Sequence, residues 1–105
     1  MVTDPAAFRI DVLLSIQRAL WDLVTPSLRA VALRVEYPCV QARFIYEVVG
    51  ADERLLAAEA EAYVVADFLP PVDVQFEAVA APATQQRELL RDEEWVYRRR
   101  ENDSL

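Results

Sequence analysis

Histidine is absent from the 105 residues. That removes the commonest general base, the Ser-His-Asp and Cys-His nucleophilic systems and the histidine-containing zinc sites. The single cysteine, Cys39, can neither close an internal disulfide nor build a thiolate cluster, which fits a reducing, cytoplasmic setting. Beside Pro38 it reads as a small, partly buried hydrophobe rather than a nucleophile. The single glycine, Gly50, leaves no loop able to cradle phosphate. No apolar run approaches the ~20 residues of a membrane span, and the start Met1-Val2-Thr3-Asp4 lacks the basic and apolar blocks of a secretory leader. Positive charge is scarce as well. Eleven basic against eighteen acidic residues give a net charge of −7, which argues against general nucleic-acid binding and suits either plain solubility or a partner with a basic surface.

What is present is a 54% hydrophobic chain suited to one folded domain, 1–105, with a charged, frayed end from about residue 100. It contains an approximate repeat. A helix runs through Asp22 to Pro26 into an alternating strand (Val31, Leu33, Val35, Tyr37), and another through Asp67 to Pro71 into a second (Val72, Val74, Phe76). The spacing predicts a first helix from Pro5 to Leu23, with Asp4 as N-cap and Phe8, Val12, Ile16, Ala19, Leu20 and Leu23 as its buried stripe. Asp11, Ser15, Arg18 and Asp22 form the solvated side. Ile10, Leu14 and Trp21 widen the apolar arc; they suit burial under the segment after Val79, or contact with a partner or twin subunit.

Strands at 30–37 and 40–48 alternate with one packed and one wet face and form a hairpin around Pro38. The second helix opens at Gly50-Ala51-Asp52-Glu53, with Asp52 capping, and carries the stripe Leu56, Ala60, Val64, Phe68 before Pro70-Pro71 stops it. Strands at 72–80 and 95–98 follow, separated by a polar connection with a short helical turn around Arg87 to Arg91. Two amphipathic helices need a sheet beneath them. The expected fold is therefore α+β: a two-layer sandwich of order αββαββ, with both helices on one face of a four-stranded antiparallel sheet, strand order 2-1-3-4.

Carboxylates are numerous but not arranged for paired-acid catalysis. Glu59 and Glu61 sit about 200° apart on their helix, Asp92, Glu93 and Glu94 read as a solvated run, and Asp67 is placed to bond turn amides or an arginine. No catalytic, metal or cofactor residue is assigned. Arg98, Arg99 and Arg100 beside Trp95 and Tyr97 resemble a stacking platform, but alternation divides Arg98 from Arg99 and acids follow at once.

Several stretches resemble a family of small bacterial proteins. They are Leu14-Ser15-Ile16-Gln17-Arg18-Ala19-Leu20, then Val24-Thr25-Pro26-Ser27-Leu28-Arg29-Ala30-Val31, Phe44-Ile45-Tyr46-Glu47, Val64-Val65-Ala66-Asp67-Phe68 and Glu94-Trp95-Val96-Tyr97-Arg98-Arg99. The family is that of immunity proteins from contact-dependent growth inhibition systems, and the likeness covers about nine-tenths of the chain. The chain departs from it at Glu47-Val48-Val49-Gly50 and in the alanine-rich stretch Val79 to Thr84. The resemblance implies a non-enzymatic protein that binds and neutralises a cognate toxin domain in the cytoplasm. The acidic charge makes that domain a basic one, such as a nuclease, and with the lack of a long apolar run leaves no nucleic acid or membrane among the expected partners. The residues assigned to that contact are Asp52, Glu53, Glu59, Asp92, Glu93 and Glu94, with Arg43 and Trp21 as anchors. The alternative is a structural or oligomeric module, a homodimer through Ile10, Leu14 and Trp21. A carboxylate enzyme or metal-binding domain is the third reading.

Overall fold

The computed structural model describes residues 4–102. The expected leader-free start and the last three residues of the charged end lie outside them. The elements follow the order α1 (Pro5–Ala19), β1 (Leu28–Glu36), β2 (Cys39–Tyr46), α2 (Ala51–Val65), β3 (Asp73–Ala80) and β4 (Glu94–Arg98). This is the αββαββ arrangement expected of the sequence.

Helix α1 begins where its cap chemistry dictates, with the Asp4 carboxylate accepting from Ala6 N and Pro5 in the first turn. It stops at Ala19 rather than Leu23. The chain turns there, and Asp22 takes a left-handed conformation (φ 67°) that aspartate tolerates better than most residues. The N-cap of α2 is Gly50, not Asp52. Glu53 reaches back to accept from Gly50 N at 2.7 Å, and Asp52 sits in the first turn.

The sheet order is β3-β2-β1-β4. This corrects the expected order 2-1-3-4 and the fully antiparallel sheet. The β1–β2 hairpin forms the centre, β4 joins β1 antiparallel, and β3 joins β2 in parallel. The physical reason is α2: a helix between two neighbouring strands returns the chain to the end where it started, so the strands run the same way. The two strands of the second half of the sequence repeat therefore flank the hairpin on opposite edges and never pair.

One core joins Phe8, Val12, Ile16 and Ala19 of α1, and Ala57, Ala60 and Val64 of α2, to the alternating residues Val31, Leu33, Val40, Ala42, Phe44 and Tyr46. Both helices thus cover one sheet face, and the predicted stripe of α1 is buried throughout. Val48, which the alternation of the 40–48 strand places in step with the inward Val40, Ala42, Phe44 and Tyr46, is 70% exposed just past β2, and Cys39 is exposed rather than partly buried.

The second face is not simply wet. Ala30, Ala32 and Ile45, on the opposite side of the strands from the helix-facing residues, are buried. The long connection from β3 to β4 crosses the sheet here. Arg43 on β2 donates to the Glu88 carbonyl and to the Glu93 carboxylate, and Arg29 at the start of β1 donates to the carbonyls of Ala81 and Pro82. The connection is an extended strap without the helical turn expected around Arg87 to Arg91. Because it crosses this face, it does not cover Ile10, Leu14 and Trp21, which stay 53%, 55% and 72% exposed.

Candidate functional site

The eight residues assigned to partner contact do not form one surface. Arg43 and Glu93 form a two-pronged ion pair with each other (2.8 and 2.6 Å), and Glu93 also accepts from Leu90 N at 2.7 Å. With 8% of its side chain exposed, Glu93 fastens the strap to the sheet. Its carboxyl is held below the usual range, first by the Arg43 hydrogen bond, and burial opposes that shift without reversing it. Glu94, paired with Leu33 on the helix side of the sheet, accepts from Nε and Nη2 of Arg9 in α1 at 2.9 and 2.6 Å. Asp92 is exposed at a left-handed turn (φ 64°), 3.8 Å from Arg91. The acidic run at 92–94 is thus one solvent-facing acid and two carboxylates already engaged.

Asp52, Glu53 and Glu59 come together. They line an open depression of about 500 Å³ between α2 and the turn Thr25-Pro26-Ser27, whose apolar walls are Leu55 and Leu56. Among the described residues neither Asp52 nor Glu59 has an ion-pair partner. Nearby, the Tyr46 hydroxyl is fully buried without a hydrogen-bond partner among the described residues, and the Thr25 hydroxyl oxygen is likewise buried and unpartnered. Burial, and then the neighbouring Glu53 charge, push the Tyr46 phenol up to about 12. Trp21 stands exposed past the end of α1.

Sequence reasoning missed the cluster around Arg29. This arginine is 1% exposed, and its fork holds both oxygens of Glu101 at 2.9 and 2.8 Å. Arg99 adds Glu47 at 2.6 Å and Glu101 at 2.8 Å, and Arg87 donates to the carbonyls of Arg29 and Arg99. Glu101 is consequently driven down to about 2, first by its hydrogen bond to Arg29. The only sequence signal was arginine within a strand start of otherwise apolar residues. Ser15, assigned to the solvated side of α1, is also buried, donating to Asp67 at 2.6 Å while Arg18 approaches the same carboxylate at 3.4 Å. Asp67 thus finds an arginine, as its position implied. Arg98 lies 5.4 Å over the Trp95 ring, so that aromatic face is already occupied by a cation of the chain itself.

Among the described residues no group of three or more His, Cys, Asp or Glu side chains is placed to hold a metal ion. No helix among the described residues is long and apolar enough to cross a membrane. No curated protein matches the chain. A family model does match, over residues 9–101, which takes in α1 from Arg9 onward, all of α2, all four strands and the Arg29–Glu101 cluster; the chain belongs to the family of MafI2 immunity proteins, typically non-enzymatic neutralisers of a toxin.

Proposed function

We propose that this chain neutralises a cognate toxin of the MafB type in the cytoplasm by binding it stoichiometrically and covering its substrate-binding surface, the logic of contact-dependent growth inhibition. Occlusion needs shape and charge but no catalytic group, which suits a chain without histidine. The observation that carries the reading is how charge is distributed. Arg9, Arg18, Arg29, Arg34, Arg43 and Arg99 are each bonded to carboxylates of the chain itself. The excess of seven negative charges therefore stands on a surface with much of its own positive charge internally committed. Such a field draws in a basic domain, a nuclease for example, and speeds encounter.

Growth of cells expressing a MafB-type toxin domain, with and without this chain, tests the reading. Rescue is expected. Persistent killing with both proteins soluble would overturn it.

The exposed Ile10, Leu14 and Trp21 favour a second reading, an oligomeric module joined through α1. Sedimentation of the purified chain decides it, because a monomer at micromolar concentration leaves that module without its contact.

A further inference from the structure

Resting on the immunity reading, we infer that the outward face of α2 is the surface on which the toxin docks. The depression at its N-terminal half receives a basic side chain of the toxin. Two independent features meet there.

The first is the helix face itself. With 3.6 residues per turn, Ala51, Leu55, Ala58, Ala62 and Val65 lie on the side opposite the buried Ala57, Ala60 and Val64, with the acids Asp52 and Glu59 along one flank of that apolar strip and Arg54 at the other. All of these outward residues are exposed, Leu55 by 68% and Val65 by 48%. Surface helices ordinarily place charged and polar residues on this side. Here the small side chains leave the backbone open to close approach, and Leu55 stands out as a single large apolar knob.

The second is charge. Four depressions can be compared. That beside the strap holds Arg34, Arg43 and Arg91 with Glu77 and Glu93. Those at the hairpin end hold Arg34 with Glu36, and Arg9 with Glu36. Only the depression against α2 contains acids, Asp52, Glu53 and Glu59, with no base. Glu53 is engaged by Gly50 N, so Asp52 and Glu59, one at each end of the wall, are the carboxylates available. A guanidinium or ammonium group seated between Asp52 and Glu59, with its aliphatic stem along Leu55 and Leu56, satisfies both features at once. The occupant is therefore a protein surface that carries a basic side chain beside an apolar patch.

The full chain is tested by calorimetric titration against a purified, catalytically inactivated MafB-type toxin domain. The variants are Leu55→Arg, Asp52→Asn with Glu59→Gln, and Ile10→Arg as a control on the exposed side of α1. All four positions are exposed, and thermal melting of each variant verifies its folding. Leu55→Arg is expected to weaken the complex by about 30-fold or more, as for a central anchor. The double neutralisation is expected to weaken it about tenfold and to flatten its salt dependence, and Ile10→Arg to change it less than about threefold. Folded Leu55→Arg binding within threefold of the parent overturns the inference while leaving the immunity reading standing. A parent chain that neither binds nor rescues overturns both. If Leu55→Arg only dissociates a dimer of this chain and leaves toxin affinity unchanged, the occupant is a second copy and the inference fails.

Discussion

All eleven cations of the chain are arginines, and the fold uses the planar fork in a way an ammonium group cannot reproduce. Arg29 places four hydrogen bonds at once, two on Glu101 and one each on the carbonyls of Ala81 and Pro82. Lysine at this position keeps the charge but cannot span those acceptors. Arg29→Lys should cost about 2–3 kcal/mol in urea unfolding, less than the roughly 3–5 kcal/mol of breaking a buried pair outright, because lysine keeps the charge. Acid acts on the same cluster. The Glu101 carboxyl titrates at about 2 in the folded chain against an ordinary 4.5, so between those values the unfolded chain binds more protons. The stability contributed by Glu101 is fully present above about pH 5 and drains away as pH falls toward 2, and Glu93 shifts in the same direction. Thermal melts from pH 7 to 3 should show the midpoint falling, with a shallower fall in Glu101→Gln, which starts lower. Ser15→Ala should cost about 1–2 kcal/mol, since it leaves the Asp67 carboxylate without its buried hydroxyl partner.

At the scale of elements, the strap from 81 to 93 crosses the sheet face away from the helices and is held largely by polar bonds. Its Leu89 and Leu90 are 42% and 59% exposed, so apolar packing contributes little there. Loss of one anchor should loosen it without unfolding the core. Glu93→Ala is expected to speed tryptic cleavage at Arg87 and Arg91 by about tenfold or more while far-UV circular dichroism is unchanged, because local opening governs cutting. The helices and strands themselves were legible in the sequence, because periods of 3.6 and 2 are imposed by the core they bury; all six elements stand where those periods put them, within a few residues. Strand order was not. Both halves of the sequence repeat carry the same alternation, and nothing local to β3 distinguishes a parallel neighbour from an antiparallel one. The role of Arg43 and Glu93 was hidden for a similar reason: fifty residues separate the pair, and each alone looks like a solvated charge. The helix face around Leu55 was overlooked because alanine suits close packing on a sheet as well as close approach by a partner. Only exposure tells the two apart.

For the whole molecule, the net charge of −7 and the internal commitment of most arginines predict how a complex forms. Association with a basic toxin domain should slow by about tenfold or more between 50 and 500 mM salt, as screening shortens the reach of the field, while dissociation changes little if apolar contact at α2 holds the complex. Stopped-flow mixing separates the two rates. The more direct question is whether neutralisation is binding alone. Titrating a fixed amount of active toxin with this chain, and reading the remaining toxin activity, answers it. The account predicts a linear fall to zero at one chain per toxin, with activity recovered intact when the complex is dissociated. Loss of toxin activity at far less than one equivalent, or toxin left permanently altered, would show that the chain acts as a catalyst and contradict the account.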